Sequence, residues 1–133
     1  MFREYAASIG DEFWVRDFED ELGALPGYYT VLLAARDRAG ALVGSAAIKH
    51  HPDGAAELKR LYVRPAARGT GLGRQLATAA IDRARELGYT RVRLDTLPRM
   101  EAARGIYASL GFKPCEPWVD HPIAGVVFLE MNL

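Results

Sequence analysis

Arg68-Gly69-Thr70-Gly71-Leu72-Gly73 sits where an apolar, alternating run gives way to an amphipathic one, which predicts a strand joined to the N-terminus of a helix. At such a junction the first amides of the helix have no acceptor within it, and the helix dipole presents its positive end. Glycines, lacking Cβ, let an anion approach those amides. The chemistry expected is the cradling of a phosphate or diphosphate, with Arg64, Arg68 and Arg74 adding charge-assisted contacts. An ordinary glycine-rich turn is the plain alternative. Two other phosphate motifs fail on spacing: a dinucleotide fingerprint starting at Gly69 needs glycine where Arg74 stands, and a Walker loop needs Gly-Lys-Ser/Thr.

Such a loop works only if a strand and a helix hold it, and the flanking residues supply both. Ala56 to Val63 alternates Leu58, Arg60 and Tyr62 against Glu57, Lys59, Leu61 and Val63, which predicts a strand with Glu57 and Val63 on one face. From Leu72 the apolar stripe runs Leu72, Leu76, Ala80, Ala84, Leu87, with Arg74, Gln75, Thr78, Asp82 and Arg85 opposite and Gly88 as the stop. Upstream, Tyr28 to Asp37 and Ala41 to His50 read as antiparallel strands joined by Arg38-Ala39-Gly40. Before them Phe2, Tyr5, Ala6 and Ile9, then Val15, Phe18 and Leu22, predict two short helices. Downstream, Arg91 to Leu97 is expected as a strand, and Pro98 opens a helix carrying Ala102, Ala103, Ile106 and Leu110 and stopped by Gly111. Two short strands follow, the last over 126–133. This order indicates an α/β (α+β) fold, a mixed sheet with helices on its faces.

A chain of 133 residues suits a single domain, expected over 1–133. Half of its residues are apolar, enough for a packed core. Lys plus Arg equals Asp plus Glu, so no overall basic field favours nucleic acid as a partner. Cys115 is the single cysteine and cannot form an intramolecular disulfide, and neither a signal-peptide pattern nor a long apolar run is present. A cytoplasmic protein without a membrane partner is expected. His50 and His51 occupy a turn and point in alternate directions, with His121 far off in sequence, so no metal is expected. Nothing in the sequence fixes the oligomeric state, and a homodimer is compatible with it.

With Arg68, Gly71 and Gly73 matching Arg/Gln-x-x-Gly-x-Gly/Ala after a strand, and with Ala103, Tyr107 and Leu110-Gly111-Phe112 matching a second motif, the chain resembles the GNAT (Gcn5-related N-acetyltransferase) superfamily. The resemblance runs from about Tyr29 to the C-terminus and implies a mostly antiparallel sheet with helices on both faces. It implies acetyl-CoA as co-substrate, held by Leu61, Tyr62, Val63 and the loop Arg68, Gly69, Thr70, Gly71, Leu72, Gly73 and Arg74. A main-chain amide near Leu61 to Val63, unpaired where two strands splay, would polarise the acyl carbonyl. The chain departs from the family twice. Its N-terminus is expected to lack the family's first strand, and Met100 stands where an asparagine is common, seven residues before Tyr107.

Acyl transfer to an amine needs a free lone pair, whereas an alkyl amine with a pKa of about 10.4 is protonated at neutral pH. Glu57, eleven residues before Arg68, stands at the offset of the catalytic glutamate in the histone-acetyltransferase branch, which implies it as the base, directly or through water. A solvated strand glutamate, with Asp95 as base, is the other reading. Tyr107 corresponds to the family's general acid, which would protonate the leaving thiolate; its spacing equally suits a packed core tyrosine. Cys115 as an acyl-carrying nucleophile lacks an evident base. A CoA-binding module without catalysis and a nucleotide-binding domain are the alternatives to an enzyme acting on a small-molecule or peptide amine. In the proteins the chain resembles, the segment holding Asp11, Glu12, Asp17, Glu19, Asp20 and Glu21 against Arg16 borders the acceptor entrance, which implies an acidic mouth where Phe13, Trp14 and Trp118 would hold a cationic amine by cation-π contact; a solvated helix face with the aromatics in the core is the other reading.

Overall fold

The structure, a computed structural model, describes residues 29–119 and 124–133 and the backbone of 13–17. Seven strands follow in chain order: β1 Phe13–Asp17, β2 Val31–Asp37, β3 Leu42–His50, β4 Ala56–Val63, β5 Arg91–Thr96, β6 Lys113–Pro114 and β7 Val127–Asn132. They form one sheet in the order β1-β2-β3-β4-β5-β7-β6. Every pairing is antiparallel except that of β4 with β5. Helix α1 covers Leu72–Glu86 and α2 covers Glu101–Leu110.

The apolar stripe of α1 is what fastens it to the sheet. Leu72, Leu76, Ala80 and Ala84 are each at most 1% exposed and join Val31, Leu33, Ala46, Ile48, Val92 and Leu94 in one core. Leu87, expected on that stripe, is exposed instead, because the helix ends at Glu86 and the chain swings away at Gly88 (φ +93°). Small residues set the spacing. A Cβ on Gly44 of β3 would lie 2.8 Å from Leu76 Cδ1 and 3.0 Å from the Tyr62 carbonyl oxygen, so α1 comes close to β3 where that strand has no side chain. Helix α2 packs beside α1, with Ile106 Cδ1 3.0 Å from where a Cβ on Gly73 would stand. It begins at Glu101 rather than at Pro98, which lies in the turn before it.

Two expectations are corrected here. Phe13–Asp17 is a strand, not part of a helix, and pairs along its full length with Asp37–Leu33 of β2, so the edge expected to be empty is filled. The aromatic and β-branched residues Phe13, Trp14 and Val15 suit an extended chain, and an unpaired β2 edge to bond with outweighs the weak helical spacing. The expected helix over Phe2 to Ile9 lies outside the described residues, as do Phe18 and Leu22.

The second correction concerns β4. Its register with β3 runs Tyr62 opposite Ser45 but Lys59 opposite Ala47, so β4 carries one extra residue, and Arg60 has φ +58°. This is a β-bulge, which reverses the facing of everything beyond it. Val63 pairs with Gly44 and Leu58 with Ile48, residues of β3 that share the α1 face. Leu58, Leu61 and Val63 therefore face the core, whereas Glu57 and Lys59 look to the other side. Glu57 and Val63 do not share a face.

Gly44→Ala is expected to lower stability by about 1–3 kcal/mol, since a backbone oxygen cannot yield to the new methyl. Gly105→Ala, in α2 with nothing within 4 Å of the new Cβ, should raise it by about 0.5–1 kcal/mol. Denaturant midpoints of the two variants moving in the same direction would contradict this packing.

Candidate active site

Strands β4 and β5 pair at two positions only, Ala56 with Val92 and Glu57 with Arg93. Beyond them the strands part, and main-chain groups on the facing edge of β4 are left for another partner. The gap is a cleft of about 310 Å³ lined by Leu58, Lys59, Arg60 and Leu61 of β4, Asp95 and Thr96 of β5, and Met100, Ala103 and Tyr107 at α2. Tyr107 is 6% exposed and packs edge-on against Phe112, with ring centroids 5.7 Å apart. Burial, and then the negative charge of Asp95, pushes its hydroxyl up to about 12, so it keeps its proton at any physiological pH. It is at once a core residue and a wall of the cleft. Met100 is the N-cap of α2 and lies exposed at the cleft's rim.

The glycine-rich loop lies at the N-terminus of α1. Gly69 (φ +81°) and Gly71 (φ +86°) hold left-handed conformations that a side chain would strain, and Gly71 caps α1 without any side-chain hydrogen bond. The helix's first amides are thus left to an outside acceptor. The other loop residues hold it in place. Thr70 Oγ1 donates to the Ala67 carbonyl at 2.6 Å, Leu72 is buried, and Gly73 makes room for Ile106. Arg68 Nε donates to the Val63 carbonyl at 2.9 Å with its guanidinium 5.8 Å from the centre of the exposed Tyr62 ring, and Arg74 donates to Ser109 Oγ. Both arginines therefore flank the amides. A diphosphate at the helix start joined to a long arm in the cleft fits these residues.

At the foot of the fork, on the face away from α1, is a charged cluster. Glu57 is 8% exposed, and its Oε1 accepts a hydrogen bond from Trp118 Nε1 at 3.2 Å. His51 Nε2 stands 3.8 Å from Oε1, and Lys59 Nζ 3.7 Å from Oε2. Arg93, 5% exposed, donates to His51 Nδ1 at 2.9 Å and to Asp53. The Ala55 amide, with Arg93 and His51 beside it, holds the Asp53 carboxyl well below the usual carboxylate range.

Trp118 does not wait for an acceptor ammonium. The Arg93 guanidinium already lies 4.6 Å from its ring centre, and Phe128 meets it edge-on at 4.9 Å. His50 and His51 part company, His50 Nδ1 lying 2.8 Å from the Tyr89 hydroxyl. The Cys115 thiol is pushed up by burial and then by Glu130, which keeps it protonated and disfavours a nucleophilic role. Of the acidic segment, Asp17 is described by backbone alone and Asp11, Glu12, Glu19, Asp20 and Glu21 lie outside the described residues. Sequence reasoning missed His51, Asp53 and Arg93. They come from one turn and one strand; the alternation of Arg91, Arg93 and Asp95 with Val92 and Leu94 marks Arg93 as a residue of a polar face, and nothing local joins His51 and Asp53 to it.

The acetyltransferase (GNAT) family model matches residues 2–112. An uncharacterised N-acetyltransferase of Schizosaccharomyces pombe is 36% identical over 140 residues, which span 100% of this chain and 85% of that protein. A Klebsiella pneumoniae crystal structure assigned as an acyl-CoA N-acyltransferase superposes with a TM-score of 0.77 at 26% identity, over 91% of this chain and 97% of the other. A Salmonella typhimurium structure assigned as an acetyltransferase, with its cofactor acetyl-CoA, superposes with a TM-score of 0.66 at 27% identity, over 84% and 68%. Among the described residues no helix is long and apolar enough to cross a membrane.

The raised Tyr107 value has a sign that is open to measurement. A group whose folded pKa lies above its unfolded value of 10.0 contributes stability that is complete below pH 10 and lost as pH rises through about 12. Ultraviolet titration of tyrosinate should show one late-titrating group in the wild type that is missing from Tyr107→Phe. Coincident titration curves would mean that this hydroxyl is not buried.

Proposed function

The chain belongs to the GNAT acetyltransferase family, and on that premise we propose that this N-acetyltransferase transfers an acetyl group from acetyl-CoA to a primary amine by direct attack within a ternary complex. The observation that carries the reading is the fork between β4 and β5, a cleft with Tyr107 in its wall. Bound acetyl-CoA supplies an acyl carbon activated as a thioester. The amides of Gly69 to Gly73, with Arg68 and Arg74, bind the diphosphate. The free edge of β4 at Leu61, Tyr62 and Val63 binds the arm through the main chain and offers an N–H to the acyl oxygen. Tyr107 protonates the leaving sulfur and is reprotonated by the proton that the acylated nitrogen gives up on becoming an amide. Glu57 takes the proton of the acceptor's ammonium through a water, leaving the amine its lone pair.

Asp95 is the competing base, favoured by its place in the cleft beside Tyr107. It is also the one carboxylate among the cleft's described lining residues and the group there able to attract a cationic acceptor. We place the reaction in the cytoplasm, as the work of one domain over 1–133.

CoA or acetyl-CoA is expected to raise the melting temperature by RT ln(1 + [L]/Kd), and Gly71→Val to remove that shift. A wild-type melting temperature indifferent to saturating CoA sinks the proposal. Tyr107→Phe should lower kcat about a hundredfold with little change in acetyl-CoA affinity. Glu57→Gln should move the pH–rate profile upward, toward pH values where the acceptor, with a pKa of about 10.4, is already deprotonated. If Asp95→Asn produces that movement and Glu57→Gln does not, Asp95 is the base. Matched cationic and anionic amines then test the acceptor, and equal kcat/KM for the two would exclude selection by charge.

A further inference from the structure

Burial and function make opposing demands on Glu57. A carboxylate only 8% exposed must be hydrogen-bonded to remain charged, yet a base needs an oxygen left free. The contacts divide the two oxygens between these demands. Oε1 is taken by the Trp118 indole N–H at 3.2 Å, with His51 Nε2 at 3.8 Å on the same oxygen. Among the described residues Oε2 meets the Lys59 ammonium at 3.7 Å, beyond hydrogen-bonding distance, and accepts no hydrogen bond. Trp118 is itself held on both sides, by Arg93 over its ring at 4.6 Å and Phe128 at its edge at 4.9 Å. Arg93 in turn is tied to Asp53 and His51. The indole reaches Glu57 from the segment after β6, 61 residues away in sequence, and so gives a carboxylate on β4 a hydrogen bond from a distant part of the chain.

We propose that Trp118 is a positioning residue for the transfer reaction: its indole N–H pins Glu57 Oε1 and so presents Oε2 as the oxygen that receives the acceptor's proton. The proposal rests on Glu57 as base. Without the N–H the carboxylate turns between rotamers, and Oε2 is correctly aimed in a smaller share of encounters.

The test is a double-mutant cycle on the full chain. Trp118→Phe keeps an aromatic ring beside Arg93 and Phe128 and deletes the donor. Loss of one hydrogen bond to a charged group should lower kcat about tenfold, while KM for acetyl-CoA and the CoA-induced thermal shift stay at wild-type values. Placed on Glu57→Gln, the same substitution should have little further effect, because Trp118 acts through Glu57. Should Trp118→Phe fold poorly, benzothienylalanine at position 118, introduced by codon suppression, replaces N–H by sulfur in a ring of nearly equal shape and carries the same comparison. An undiminished kcat, or an equal loss in both backgrounds, overturns the proposal. Failure of the underlying reading is visible separately: Glu57→Gln alone would then turn over like wild type, and Trp118 would lose its role with Glu57.

Discussion

Parallel pairing between β4 and β5 lasts for two residues and then ends, and the rest of the site depends on that interruption. Fully paired strands would close the sheet and leave no cleft. The bulge at Arg60 contributes by turning β4 just after the last paired residue. It also sorts the strand's side chains: apolar Leu61 and Val63 go to the core beside α1, and charged Glu57 and Lys59 to the opposite side. One irregular residue thus separates the apolar end of β4 from the charged face that holds Glu57.

Two kinds of electrostatics meet along the cleft. At the α1 end the binding groups are main-chain amides, whose direction is set by the helix and the left-handed glycines before it, so that side chains need only flank them. At the foot of the fork the groups are side chains, with buried Glu57 beside Trp118 and Lys59 and buried Arg93 beside Asp53 and His51. Buried charges are tolerated when each meets an opposite charge or a donor. Tyr107, in the wall of the cleft, is neutral and held neutral by its surroundings. A hydroxyl with that much hold on its proton remains a neutral hydrogen-bond donor at neutral pH.

Much of this was legible in the sequence. Local signals carried it: the period of α1 from Leu72 to Ala84, the apolar runs of β2 and β3, the alternation of β4 and β5, the glycines at 69, 71 and 73, and the stop at Gly111. Each depends on neighbours within a turn or two of chain, and each was matched to within a few residues. Glycine content alone did not say which glycine did what: Gly71 is required by its φ and Gly73 by the approach of Ile106.

What the tertiary structure decided were the relations between segments. That Phe13–Asp17 is a strand follows from the unpaired edge of β2 awaiting it, which no local window contains. That Glu57 and Val63 point oppositely follows from a register shift visible only when β3 is laid beside β4. Trp118 looked like a free aromatic until Arg93 and Glu57 were found at its face and edge, from strands far off in sequence. Residue type and local spacing are properties of the chain, and so the helix, the loop and the kind of chemistry could be read from it. Facing, pairing and the partner of a buried charge belong to the packed sheet, because they are chosen by whichever distant backbone or side chain satisfies the group at least cost.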